Sequence, residues 1–171
     1  MAKRMTLPLV AVAVQLGILA VIPARQIYTR STGTLVTIRT APVDPYDVLS
    51  GYYVTLAYEI STPPGLNGSP GNNERVYVVL VPGEDNVWVA QSTYRTRPAS
   101  IPPGAVVVRG WQKGMWVRYG IEAFYVPEEN REEIERALRQ NQGTAKAQIK
   151  VDRFGHAALE RLIIADKTYE H

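Results

Sequence analysis

The chain has 171 residues, no cysteine and two histidines, and its 19 basic and 16 acidic residues give a net charge of +3. This length suits one domain of ordinary size, and the hydrophobic share of 46% excludes a disordered tail and a fibrous repeat. The missing cysteines exclude a disulfide scaffold and a zinc site built on sulfur, and we expect neither a metal ion nor a cofactor. The basic residues are scattered, which predicts no binding to nucleic acid.

An apolar run from Met5 to Ile22 follows Lys3 and Arg4 near the N-terminus, and Pro23 is expected to end it. A membrane-spanning helix needs about 17 to 25 such residues, and the basic residues before the run favour a cytoplasmic N-terminus. The run therefore predicts a membrane anchor over residues 1–24. The remaining chain is then extracytoplasmic. A cleaved signal peptide and a buried amphipathic helix remain as alternatives.

Residues 25–171 are predicted to form a single β-rich domain. Runs of β-branched and aromatic residues recur between turn signals, which is typical of half-buried strands. The predicted strands cover residues 33–40, 52–60, 75–81, 87–92, 105–109, 115–126, 145–151 and 157–164. Since closure removes exposed strand edges, we expect a mainly β fold with a curled or barrel-like antiparallel sheet behind a single N-terminal membrane helix.

One short helix and one long loop interrupt this pattern. Pro127 and the acids after it open the helix, and Gly143 is its expected C-cap. The segment 61–73 consists largely of Pro, Gly, Ser and Asn, which predicts a mobile surface loop. A tolerated insertion in a hairpin is the more ordinary explanation of such a loop than a functional lid.

The sequence contains no motif typical of a nucleophile elbow, a zinc-protease helix, a phosphate-binding loop or a dinucleotide-binding loop. Carboxylates are the remaining candidates. Asp44 and Asp47 suit turn chemistry. On the predicted strand 115–126, Glu122 shares a face with Trp116, Arg118 and Phe124, where it serves as a cross-strand ion-pair partner or as a tuned acid. The ion pair is the simpler interpretation.

Residues 42–60 read PVDPYDVLSGYYVTLAYEI, and this segment resembles the GDYxxLxY family of bacterial proteins. A second segment, from Tyr119 to Glu128, is similar to another recognisable stretch of the family. The motif residues are Asp44, Pro45, Asp47, Gly51, Tyr53, Leu56, Tyr58, Gly120, Glu122 and Tyr125.

The sequence departs from the family pattern at Tyr52, where the family has an aspartate. If that aspartate is chemically active in the family, this protein lacks the activity; if it caps a turn, tyrosine is a tolerable replacement. The resemblance implies a single-pass protein of a bacterial inner membrane or another energy-transducing membrane. Its activity is unassigned, and members of the family are often encoded beside multi-span membrane proteins. It carries over no catalytic residue. We expect Leu56 and Tyr58 to be core residues.

Three functions follow from these observations. The preferred one is a membrane-anchored accessory module of the cell envelope, without a catalytic centre, that binds another membrane protein. Its interaction surface is expected around Trp111, Trp116, Arg118 and Phe124. The alternatives are a small-ligand or lipid binder that uses the mouth or interior of a β-barrel, and an envelope hydrolase that uses Glu122 with Asp44 or Asp47.

Overall fold

The computed structural model describes residues 2–42, 49–50, 53–66, 73–125, 128–141, 143–165 and 167–170; for residues 2–11, 13, 14, 18, 22, 49, 50, 128–131 and 135 it describes the backbone alone. The helices in these ranges are α1 (Ala2–Thr32) and α2 (Glu128–Gln140). The strands are β1 (Thr34–Ala41), β2 (Leu49–Ser50), β3 (Tyr53–Thr55), β4 (Ala57–Tyr58), β5 (Glu74–Pro82), β6 (Trp88–Tyr94), β7 (Val106–Lys113), β8 (Trp116–Arg118), β9 (Ala123–Tyr125), β10 (Lys146–Val151), β11 (Ala157–Ile164) and β12 (Lys167–Glu170).

The strands form a mainly β fold in which antiparallel sheets curl into a half-barrel. One sheet has the order β12-β11-β10-β1-β4, a second has β6-β5-β7-β8, and a short third has β2-β3-β9. Bulges interrupt the ladders between Gln148 and Ile149 and between Val79 and Leu80. Because a bulge bends a strand and increases its twist, these positions favour curling.

The core lies on the concave side of the curled sheets. Buried and half-buried residues alternate along β10, and the buried Val36 and Ile38 of β1 lie opposite its Ile149 and Ala147. Burial of such side chains stabilises the fold by about 1.5–3 kcal/mol each. The expected face of the first motif segment is also observed in its described part, since Val54, Leu56, Tyr58 and Ile60 are all buried.

The expectation for the strand over 115–126 is partly wrong. Val117, Tyr119 and Ile121 are buried as predicted, but the chain leaves the strand after Arg118 and resumes as β9. Gly120 has a φ of +82° within this break. The break changes the phase of the alternation, so Phe124 is fully buried instead of exposed. Phe124 therefore does not belong to an interaction surface.

Helix α1 extends further than expected. Pro23 does not end it, and the helix continues to Thr32. Proline lacks the backbone N–H that would donate a hydrogen bond within the helix. The residues on either side of it can still be helical when tertiary contacts hold them in place. The contact here is Thr29, which is 2% exposed and whose hydroxyl donates to Asp152 Oδ2 at 2.7 Å.

No helix in the described part of the chain is long and apolar enough to cross a membrane. The expected anchor over residues 1–24 is therefore not shown. Residue 1 and the side chains of residues 2–11, 13, 14, 18 and 22 lie outside the described set. Of the described apolar side chains on α1, those of Val12, Leu16, Leu19, Val21 and Ile27 are exposed.

The long loop has a well-packed beginning. Ser61 is buried, and the Thr93 hydroxyl donates to the Pro64 carbonyl oxygen at 2.8 Å. Leu66 packs against the core. Residues 67–72 of the loop expected at 61–73 lie outside the described residues.

Candidate functional site

The two segments that carry the family resemblance lie side by side in the fold. Strands β3 and β9 pair antiparallel, with Tyr53 opposite Tyr125 and Val54 opposite Phe124. The rings of Tyr53 and Tyr125 lie 5.8 Å apart between centroids. Just beyond the strands, the Leu56 N–H donates to the Glu122 carbonyl oxygen at 2.7 Å. We call residues 53–60 and 119–125 together the motif clamp.

Two buried tyrosines link the two segments of the motif clamp by reciprocal hydrogen bonds. The Tyr58 hydroxyl donates to the Ile121 carbonyl oxygen at 2.6 Å, and the Tyr119 hydroxyl donates to the Ile60 carbonyl oxygen. Burial and the nearby Glu122 carboxylate raise the pKa of both phenols well above its ordinary value. Both hydroxyls therefore stay protonated at physiological pH and remain hydrogen-bond donors.

Glu122 stabilises the turn between β8 and β9. Its Oε1 accepts the Tyr119 N–H, and its Oε2 accepts the Gly120 N–H at 2.9 Å. Among the described residues it forms no ion pair within 4.0 Å, so the expected cross-strand arginine partner is absent there. Both oxygens are engaged by backbone donors, which favours a structural carboxylate over an acid catalyst.

A groove opens beside the motif clamp. It consists of two adjoining cavities, of about 410 and 450 Å³, that share Lys113, Arg118 and Glu122 in their walls. Trp116 lines the first cavity and Trp111 the second, and both indoles are exposed, at 54% and 39%. The motif backbone from Thr55 to Ala57 lines the first cavity. We call this surface the motif groove.

Close packing between β7 and β8 supports the motif groove. Gly110 on β7 is buried, and a Cβ atom there would stand 2.3 Å from Val117 Cγ1. Only glycine allows β8 and Tyr119 to approach β7 this closely. The approach holds Trp111 and Trp116 on adjacent strands, where the register places Trp116 opposite Lys113.

The structure gathers some predicted site residues and separates others. Trp111, Trp116, Arg118, Gly120 and Glu122 line the motif groove. Tyr125 is exposed at 58%, whereas Leu56 and Tyr58 are buried, as expected of core residues. Asp44, Pro45, Asp47 and Gly51 lie outside the described residues, as does Tyr52.

Sequence reasoning missed Lys113 and a second polar cluster. In that cluster Asp152 Oδ1 accepts the N–H groups of Phe154 at 2.8 Å and His156 at 3.0 Å. Asp152 Oδ2 accepts the Thr29 hydroxyl and lies 3.1 Å from His156 Nδ1. We call Thr29, Asp152 and His156 the docking latch. The hairpin-turn sequence at 152–155 was visible, but nothing in the sequence connects it to a helix 123 positions away.

The docking latch is not a nucleophilic triad. In such a triad the hydroxyl bonds to the histidine, which removes its proton, whereas here the Thr29 hydroxyl bonds to the carboxylate. The Asp152 side chain is fully buried, and its bonds hold α1 against the hairpin of β10 and β11. The latch is therefore a structural contact.

The chemistry of the motif groove is set by cationic and aromatic side chains. No group of three or more potential metal ligands occurs among them. A pair of catalytic carboxylates needs about 5–10 Å between the two groups. Glu122 is the one carboxylate that the described residues contribute to the motif groove. Aromatic residues and arginine, which this groove also contains, are enriched at protein interfaces.

The fold and the groove thus define a small, curled antiparallel β domain with a surface groove beside a buried tyrosine clamp. The chain belongs to the GDYXXLXY protein family, whose sequence profile matches residues 15–162. The match includes both segments of the motif clamp and the docking latch. No curated protein and no solved structure matches the chain.

Proposed function

We propose that this protein is a non-enzymatic interaction module of the bacterial cell envelope that binds another membrane protein through the motif groove. The observation that carries the proposal is the exposed pair Trp111 and Trp116 beside Lys113 and Arg118. Interface hot spots are enriched in tryptophan and arginine. A rigid support also reduces the entropy lost on binding, and the motif clamp supplies one.

The N-terminal residues are proposed to hold the module at the membrane, with the β domain on the extracytoplasmic side. The apolar run from Met5 to Ile22 supports this, because it has the length of a membrane span. Apolar side chains of α1 are exposed to solvent and are not covered by the β domain, among them Leu16, Leu19 and Val21. A hydrocarbon environment would remove them from water.

The charge of the motif groove indicates what the partner presents. Lys113 and Arg118 both line it, and the Glu122 carboxylate is engaged by backbone N–H groups. An acidic loop or terminus of the partner complements these cations, and electrostatic complementarity contributes mainly to the association rate and to specificity. We therefore expect binding to weaken as salt concentration rises.

A small-ligand binder is a second candidate, and one observation favours it. The first cavity of the motif groove, at about 410 Å³, falls within the usual size range of ligand pockets. The half-barrel interior is a less suitable place for a ligand, because the core side chains that the structure describes fill it. A ligand would thus bind in the motif groove.

The test is affinity purification of the tagged full-length protein from native membranes in mild detergent. A photo-crosslinking amino acid at Trp111 would capture the partner, and Trp116→Ala with Arg118→Ala would weaken the capture at least tenfold. Tyr94→Ala with Arg97→Ala is the matched control, because both side chains are exposed away from the motif groove. A chain lacking residues 1–24 tests the anchor.

The outcomes separate the candidates. Crosslinking to a multi-span protein that depends on Trp116 and Arg118 supports the proposal. Equal capture by the groove variant and the control variant contradicts it. A small molecule that co-purifies with the native groove and is lost from the variant favours the second candidate.

A further inference from the structure

A second surface surrounds the point where α1 meets the β domain. It contains exposed or half-buried basic and aromatic residues from the helix, from the turn between β10 and β11, and from strands β5 and β7. Its members are Arg25, Tyr28, Arg75, Arg109, Arg153 and Phe154. We call it the helix-root surface. No part of the motif groove is among these residues.

Short contacts unite the helix-root surface. The rings of Tyr28 and Phe154 lie 6.2 Å apart, and the Arg153 guanidinium stands 4.7 Å from the Phe154 ring centroid. The Arg109 N–H donates to the Gly155 carbonyl oxygen at 2.7 Å, which joins the turn to β7. A Cβ atom at Gly155, where φ is +86°, would approach the Val107 carbonyl oxygen to 3.0 Å.

The arginines of this surface repel one another. Burial and repulsion from Arg25 and Arg75 lower the pKa of the Arg109 guanidinium. Within the described part of the chain, none of Arg25, Arg75, Arg109 and Arg153 forms an ion pair. The nearby Asp152 carboxylate is buried and already engaged in the docking latch. This surface therefore lacks a counter-charge of its own.

Phe154 is 50% exposed beside these charges. An exposed aromatic ring flanked by arginines is typical of protein surfaces at the boundary between lipid and water. The Arg75 guanidinium lies 5.3 Å from the Trp111 ring centroid, so the basic region extends from the helix root towards the motif groove.

We propose that the helix-root surface rests on the anionic lipid headgroups of the membrane. This inference depends on the anchor in the proposed function. At a rise of about 1.5 Å per residue, Tyr28 lies about 9 Å along the helix axis beyond Ile22. The headgroup layer on each side of the hydrocarbon core is roughly 5–8 Å thick. Arg25 then lies in this layer, and Phe154, in contact with Tyr28, lies at its outer boundary.

The bilayer fits this surface better than an acidic protein does, because the surface surrounds the end of the proposed membrane segment. A bilayer at that height covers the residues on the helix and those on the turn simultaneously. Electrostatic attraction to lipids acts over a Debye length of about 8–10 Å, so an arginine of this surface can contribute without touching a headgroup.

The chain has no cysteine, so a single introduced cysteine can be labelled specifically. The full-length Phe154→Cys variant would carry an environment-sensitive fluorophore and be placed in nanodiscs of phosphatidylcholine with or without 30% phosphatidylglycerol. Brominated lipids would report depth. Arg153→Cys provides a second labelled position if Phe154→Cys fails to fold. Tyr94→Cys, on exposed β6, is the labelled control.

We expect quenching at position 154 at least threefold greater in discs containing phosphatidylglycerol, and we expect 0.5 M salt to reduce it. Arg75→Gln, Arg109→Gln and Arg153→Gln together should remove most of this difference. Arg97→Gln, Arg136→Gln and Arg139→Gln, three exposed arginines elsewhere, should not. The label at position 94 should show little quenching in either disc.

A label at Leu16→Cys separates this inference from the anchor proposal. If position 16 is quenched and position 154 is not, the anchor stands and the lipid-contact inference is overturned. If position 16 is not quenched, the anchor proposal fails. Co-sedimentation of the protein with phosphatidylglycerol vesicles then tests whether the helix-root surface binds lipid. Binding that does not depend on the three arginines then overturns the inference too. A change at position 154 that only a bound protein causes would also overturn it.

Discussion

Tyr58 explains why the family motif contains a tyrosine at this position. Its ring fills the core at 0% exposure, while its hydroxyl reaches a backbone carbonyl oxygen on the second segment. A phenylalanine would fill the same space but leave that buried carbonyl oxygen without the donor. Tyr119 has the reciprocal role. In its described part, the motif thus contains residues that hold two distant segments together.

Replacing Tyr58 with phenylalanine tests this role. We expect Tyr58→Phe to lower the free energy of unfolding by about 1–3 kcal/mol, because a buried acceptor loses its donor. Urea denaturation of the purified protein measures the change. Tyr94→Phe, at an exposed site, should alter it by less than about 0.5 kcal/mol. Equal effects of the two substitutions would show that the Tyr58 hydroxyl does not fasten the motif clamp.

At the scale of elements, the docking of α1 depends on one buried carboxylate. Although burial opposes ionisation, hydrogen bonds from Thr29, His156 and Phe154 lower the pKa of Asp152 below its ordinary value. Burial lowers the pKa of His156 and outweighs the hydrogen bond to Asp152. The nearby guanidinium groups of Arg109 and Arg25 lower it further.

Both shifts predict that acid weakens the docking latch. The unfolded chain binds a proton at His156 near pH 6.5, above the pH at which the folded protein does so. Stability therefore falls as the pH decreases from about 6.5 through the folded pKa of His156. A second loss follows below about pH 3.9, as the pH falls through the depressed pKa of Asp152.

Hydrogen exchange of residues 25–33, measured between pH 7.5 and pH 5, checks the first loss. His156→Gln should remove the decrease in protection over this range and leave Asp152 charged. His171→Gln is the matched control and should retain the decrease. Protection that falls equally in both variants would contradict a role for His156.

The sequence was sufficient to predict the strands whose alternation is complete. The alternate residues from Val54 to Ile60 follow period two without interruption, and they face the core as expected. Periodicity failed at Phe124, because the Glu122 turn inserts a break whose length the pattern cannot reveal. It also missed β12, a short strand of mostly exposed residues.

The candidate site was predictable only in part. Trp111, Trp116 and Arg118 belong to neighbouring exposed stretches, so local sequence indicated a surface. Lys113 joins them through the β7–β8 hairpin register. The docking latch could not be predicted, because it joins a helix and a turn from opposite ends of the chain. Helical periodicity does not reveal which distant residue a helix contacts.

At the scale of the whole molecule, the described side-chain contacts between α1 and the β domain lie near the end of the helix. The side-chain contacts described between them come from Tyr28, Thr29 and Arg30. We expect a chain lacking residues 1–24 to unfold cooperatively with an unchanged free energy of unfolding. Circular dichroism during urea denaturation measures this.

A chain lacking residues 1–32 is the informative comparison. It removes Thr29 and leaves the buried Asp152 carboxylate short of one donor, which should lower the free energy of unfolding by about 1–3 kcal/mol. If the shorter deletion is as harmful as the longer one, then residues before 25 contribute to the β domain in a way that the contacts of residues 28–30 do not explain.

The pairing of β1 with β10 has a consequence for the timing of folding during synthesis. Thr34 lies opposite Val151, and Arg39 opposite Lys146, so the first strand of the domain pairs with one of the last. Closing so long a loop is entropically costly, and folds dominated by such contacts form slowly. While the ribosome is still adding residues before β10, β1 has no partner on this side. This edge of β1 therefore stays unpaired until nearly all of the chain has been made, whereas the sheet of β5 to β8 can already form.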